Sequence, residues 1–219
     1  MTYSVLIVLH IAVLGYWLGS ELCINSQYRF VCYRSDIEFA ARDAVNDHLM
    51  DIDQHVRYAL ILQFVLGSLL ALEIGYFDGG KLAQSLVVTF GIAWLALVEA
   101  GHRLRKQSVG SLLAKIDRGV RYSVAFALPA AALFVFANAP FWLGAKLLLF
   151  SGVIACGVVI RFVLFKHFEY WGLMAKNGPD AENNQVVQTT YKRATAVLGI
   201  LWLCIAGITI LAVLKPTLA

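Results

Sequence analysis

Charge is scarce in this 219-residue chain: 15% of its residues are Asp, Glu, Lys or Arg, while 60% are hydrophobic and the mean hydropathy is +0.72. Soluble domains carry about a quarter charged residues, so a soluble fold is excluded. Disorder is excluded with it, because that needs the opposite balance. Cysteine is thin as well. Cys23, Cys32, Cys156 and Cys204 form no CxxC pair, and three of them fall in apolar stretches. They read as small apolar packing residues rather than a disulfide framework or a ligand set. Methionine is limited to Met1, Met50 and Met174, which leaves no thioether cluster for capturing a soft metal from outside.

Long apolar runs take the place of these features. A helix needs about 20 largely apolar residues to cross roughly 30 Å of hydrocarbon. Six stretches qualify, at about 4–25, 57–77, 83–102, 122–139, 141–165 and 194–214. No basic residue precedes Arg29, so the first run lacks the charged start of a cleaved signal peptide and is expected as a retained helix. Placing the N-terminus outside leaves only Lys81, Lys146 and Lys215 of the 18 basic residues on the outer side. That asymmetry sets the orientation. The expected fold is an all-α integral membrane protein, a six-helix transmembrane bundle in one domain with both termini outside. The net charge of +4 then reports topology, and no nucleic-acid partner is needed to explain it.

The segment between the first two spans is expected to be helical over about 36–52. Ser35 followed by Glu38 has the spacing of a capping box. Ile37, Ala41, Ala44, Val45, His48 and Ile52 then recur at helical spacing among acids and arginines, the pattern of an amphipathic helix on a membrane surface.

An internal repeat is visible. IDQHVRY at 52–58 recurs as IDRGVRY at 116–122, Lys81-Leu82 recurs as Lys146-Leu147, and His102 recurs as His167. Spans 2–3 and 4–5 therefore read as two parallel copies of one helical hairpin. The bland reading of its charges is interfacial anchoring by Arg57, Arg121 and the lysines.

Polar groups at membrane depth face a protein interior or a water-filled cavity. On the first helix His10, Trp17, Glu21 and Tyr28 share one arc, with Asn25 at its edge, while Gly15 and Gly19 lie opposite, where a second helix can approach. The stripe reads either as the lining of a cavity or as an interhelical hydrogen-bond network. Glu99, His102 and Arg103 cluster near the inner end of span 3. Arg161, within span 5, calls for a counter-charge, for which Glu21 and Glu99 are the candidates. His48, Asp51 and His55 share a helical face and are of the type that binds a first-row metal; an ordinary polar face has the same spacing. A heme iron can be held by two histidines at equal depth, and His55, His102 and His167 lie near the inner surface. His10 stands in the outer half as a single ligand or proton donor.

The run LHIAVLGYWLGSEL (9–22) resembles the first helix of the bacterial membrane protoporphyrinogen oxidases of the HemJ type. KIDRGVRYSVAFALP (115–129), followed by WLGAKLLLF (142–150), resembles the next two helices of that family. The same superfamily includes the membrane domain of copper-resistance protein D (CopD). The resemblance implies heme on the first-helix histidine, His10; the place for a second histidine, eleven residues after Lys146, holds Gly157. It also implies a bacterial inner membrane.

Three functional readings follow. One is a redox protein binding heme b or a related tetrapyrrole. There His10 is ligand or acid, Trp17 and Asn25 line the pocket, and Glu21 and Arg161 carry protons or balance a propionate. A second is a transporter or channel for a proton-coupled ion or small solute. The third is an accessory or scaffold subunit, with a homo-oligomer or a membrane redox partner beside the bilayer.

Overall fold

A computed structural model describes residues 3–216, and among these residues there are six α-helices and no strand. The helices are α1 (Tyr3–Tyr33), α2 (Phe39–Ile74), α3 (Gly80–Arg103), α4 (Ser108–Asn138), α5 (Phe141–Asn177) and α6 (Ala181–Leu214). All six are long and apolar enough to cross a membrane. Large side chains such as Phe126 and Leu203 are 82% and 72% exposed, which only a lipid environment makes stable. The chain is a multi-pass membrane protein.

Each helix covers one expected span to within three residues, α2 ending at Ile74 rather than 77, and most run past it at the other end. The extensions of α1, α2, α4, α5 and α6 each carry lysine or arginine. At 1.5 Å per residue, the 37 residues of α5 reach about 55 Å, well beyond the hydrocarbon thickness.

The expected amphipathic helix over 36–52 is part of α2, continuous with the second span. Its start differs from the capping-box expectation. Residues 34–38 form a turn in which the Arg34 guanidinium chelates Asp36 at 2.8 Å, and the helix begins at Phe39 with the Arg42 N–H bonded to the Glu38 carbonyl. That local ion pair holds Ser35 outside the helix. The buried positions of this stretch are Arg42, Asn46 and Leu49, while Ala41, Ala44 and His48 are exposed.

The chain divides into two compact units. The first comprises residues up to Tyr28 and Ala44–Arg118. In it α1 meets α2 where a Cβ on Gly67 would stand 3.5 Å from His10. α2 meets α3 through Gln54, whose amide donates to the Val98 carbonyl at 3.1 Å, and through the rings of Phe64, Phe90 and Trp94. The α3–α4 turn is tight at buried Gly110, where a side chain would collide with the Leu104 carbonyl. Gly15 and Gly19 meet nothing within 4 Å.

The second unit comprises Arg29–Asp43 and the chain from Gly119 on. Phe136 stacks on Phe141 across the α4–α5 turn and fills the space over Gly144. Ser151 donates to the Ala125 carbonyl at 3.0 Å. α5 turns into α6 at Gly178, whose φ of +90° suits glycine, and Asp180 then caps α6 by accepting from the Asn183 N–H at 2.8 Å.

Arg42 is the centre of this unit's polar packing. It is 1% exposed, donates to the Val31 carbonyl and to Asn184 at 3.0 Å each, and lies 5.2 Å from the Trp171 ring. Trp171 in turn donates to Asp43 at 2.7 Å.

Candidate functional site

The most concentrated chemistry lies in the first unit, where four helices contribute to one polar centre. On α1 the buried Trp17 indole donates to the Glu21 carboxylate, one turn on, at 3.2 Å. On α2 Arg57 holds Asp53, also one turn away, at 2.6 Å. On α3 the buried Trp94 indole donates at 2.9 Å to Asp117 of α4, itself only 5% exposed. These pairs are linked electrostatically: Asp53 acts on Glu21, and Asp117 acts on Arg57. Glu21 is thus an electrostatic neighbour of Asp53 and Asp117 one of Arg57, and Glu21 and Asp117 each accept from an indole N–H. Asp53 and Arg57 keep about a third of their side-chain surface accessible.

A polar rim surrounds it. Tyr16 and His55 share a 2.5 Å hydrogen bond. Glu99 accepts from Tyr58 and pairs with Arg103 at 2.5 Å. Asp51 meets Arg105 at 2.8 Å and His102 at 3.3 Å. The hydrogen bond from Arg105 holds the Asp51 carboxyl below the usual carboxylate range, with smaller contributions from the charges of Arg105, His102 and His48.

The expected site residues are distributed as follows. His10, Trp17, Glu21, Asn25, His48, Asp51, His55 and His102 belong to the first unit, and Arg161 and His167 to the second. Trp17 and Glu21 join the polar centre. His10 is half-buried against Gly67. His48, Asp51 and His55 are exposed, with His55 engaged by Tyr16 and Asp51 by Arg105 and His102. Among the described residues no group of three or more His, Cys, Asp and Glu side chains is gathered as a metal site would need. Glu99, one candidate partner for Arg161, is engaged by Tyr58 and Arg103. His167 is fully buried, stacked on Trp171 at 5.9 Å and 3.1 Å from the Thr190 hydroxyl.

This donor set tests the fit of a heme. His55 meets the Tyr16 hydroxyl through Nδ1 and His102 lies beside Arg105 and Asp51, while His167 is packed into its own unit's core. His10, His55 and His102 are the histidines of the first unit that a heme there would draw on.

The centre also contains residues that sequence reasoning read as anchors or passed over. Asp53, Arg57 and Asp117 were visible as the IDxxVRY repeat, yet their role as neighbours of Glu21 needed the helices in contact. Trp94 carries no local signal beyond an indole within a span. Gln63 is a further buried polar group, 7% exposed, on the α2 face that Gly67 presents to His10; its Oε1 has no hydrogen-bond partner among the described residues.

No protein-family model, no curated protein and no solved structure matches this chain.

Proposed function

We propose that this protein is a proton-coupled transporter of a small cation, with Glu21, Asp53, Arg57 and Asp117 forming the site that carries the proton or the cation. The observation behind this reading is Glu21, a carboxylate within the α1 span whose hydrogen-bond donor is the neutral Trp17 indole and whose electrostatic neighbour is Asp53. Charged groups at membrane depth are costly unless paired, and neighbouring carboxylates are most stable with a proton or a cation between them. Glu21 is the exchanging group in this scheme, because its protein partner is a neutral indole and its electrostatic neighbour is another acid. Arg57 holds Asp53 and limits the charge the centre can accept. The setting is the plasma membrane of a bacterium, with both termini on the outer face. The recurrence of IDxxVRY supports an origin from two copies of one hairpin.

Solid-supported membrane recordings test the transport reading. A jump in the concentration of a small cation should produce a transient current that the Asp53→Asn variant loses. No current above that of protein-free membranes, across a panel of inorganic and organic cations, would oppose it.

A five-coordinate heme b on His10 is the second reading, carried by the resemblance of the 9–22 run to a heme-binding first helix. When bound, the heme would supply electron transfer, and His10 would hold its iron. A dithionite-reduced minus air-oxidised spectrum with sharp α and β bands, lost in His10→Ala, would favour it over transport. A colourless protein that gains no Soret band on adding heme would remove it. Stability losses without any lost current or pigment would instead indicate an accessory subunit.

A further inference from the structure

We propose that Trp142, Lys146 and Lys215 form a binding site for the phosphate headgroup of an anionic phospholipid. All three belong to the second unit. Lys146 follows Trp142 by one turn on α5, and its ammonium lies 5.5 Å from the indole centroid. Lys215, at the end of α6, brings a second ammonium to 6.0 Å from the same ring. Each cation is drawn to the negative face of the indole, yet the two repel one another as electrostatic neighbours. Among the described residues neither lysine has a carboxylate within ion-pair distance.

Two backbone features add to this positive field. The α5 N-terminus begins beside Trp142, after Pro140, with no side chain capping its N–H groups, so its dipole also favours an anion. Lys215 occupies the left-handed region at φ +44°, a conformation unusual for a residue other than glycine. It is fixed there as the C-cap of α6 by its N–H bond to the Leu211 carbonyl at 3.1 Å. Two ammonium groups and a helix N-terminus thus converge with no carboxylate paired to either lysine among the described residues. A phosphate between the lysines would remove the repulsion and satisfy both.

The depth of the site points to a lipid as the source of that phosphate. α5 begins and α6 ends here, the level at which tryptophan and lysine mark the membrane–water boundary. Beside the lysines, Leu148, Val213 and Leu214 are exposed apolar side chains, positioned to contact acyl chains below a headgroup. Clustered basic residues at a membrane surface recognise anionic headgroups by this chemistry.

Native mass spectrometry of the full-length protein in detergent tests the assignment, with phosphatidylglycerol and phosphatidylcholine of identical acyl chains as probes and inorganic phosphate as a third arm. Phosphatidylglycerol should bind in preference. Its affinity should fall about fivefold in Lys215→Gln and by a similar factor in Lys146→Gln, in keeping with the contribution of one basic residue near a charged surface. Lys215 is exposed, so its variant keeps the fold if Lys146→Gln does not. Lys81→Gln, in the other unit, should bind like the unaltered protein. Equal binding of both lipids, or undiminished phosphatidylglycerol binding in Lys215→Gln, would overturn the site. Binding of inorganic phosphate without any preference for phosphatidylglycerol would overturn the lipid assignment.

Discussion

At the scale of single residues, the same side-chain type does different work according to what surrounds it. Arg34 lies at the surface, chelating Asp36. Arg42 is buried and tied to Val31, Asn184 and the face of Trp171. Removing a buried charged donor leaves its acceptors without partners and opens a void. Arg42→Ala is therefore expected to destabilise the protein by about 3 kcal/mol in denaturant titrations, and Arg42→Lys should not restore it, because an ammonium cannot reproduce the planar fork or the stacking.

Asp51 gives a smaller, pH-dependent effect. Its carboxyl is held below the ordinary range, chiefly by the hydrogen bond from Arg105. The resulting stabilisation is present at neutral pH, above the unfolded pKa. It is lost as pH falls through the folded value, when the carboxylate is protonated. As an exposed pair it contributes no more than about 1 kcal/mol. Asp51→Asn should accordingly flatten the acid limb of a thermal-stability profile and leave stability near pH 5 and above only slightly lower. An unchanged acid limb would show that the Asp51–Arg105 pair does not act in solution.

At the scale of elements, the helices follow from composition and the turns from a few special residues. All six spans were legible because a run of about 20 apolar residues has one stable backbone solution in lipid. The ends were less legible, since the extensions past the membrane mix charged and apolar residues. The 34–38 turn shows why: Ser35 and Glu38 have capping-box spacing, yet Arg34 and Asp36 form a tighter local pair. Burial along α2 likewise departed from the apolar pattern, because the Arg42 hydrogen bonds outweigh the gain from hiding an alanine.

The α3–α4 turn depends on Gly110, where a methyl group would meet the backbone of Leu104 rather than a movable side chain. Gly110→Ala is expected to cost at least about 2 kcal/mol, within the range of overpacked sites. It should also lower the yield of folded protein in detergent by size-exclusion chromatography. Gly119→Ala, which meets nothing within 4 Å, should behave as the unaltered protein.

At the scale of the whole molecule, the candidate site was only half legible. Glu21 and Trp17 stood out because they share one face of a helix. Asp53, Arg57 and Asp117 were legible as a repeated motif but not as neighbours of Glu21. Their proximity depends on contacts between helices distant in sequence, which no local spacing encodes. Trp94 illustrates the limit: its indole N–H finds Asp117 across the α3–α4 contact, and nothing around it in the sequence marks that bond.

Glu21 is the group proposed to exchange a proton, in a centre shared with Asp53, Arg57 and Asp117. The most direct measurement is proton flux in proteoliposomes, followed with an enclosed pH-sensitive dye under an imposed cation gradient, comparing the unaltered protein with Glu21→Gln. Cation-dependent pH change should appear with the unaltered protein and fall by about tenfold or more in the variant, which keeps the size, polarity and indole hydrogen bond of the side chain but cannot ionise. Flux that is undiminished in Glu21→Gln, or indistinguishable from empty liposomes in both, would contradict it.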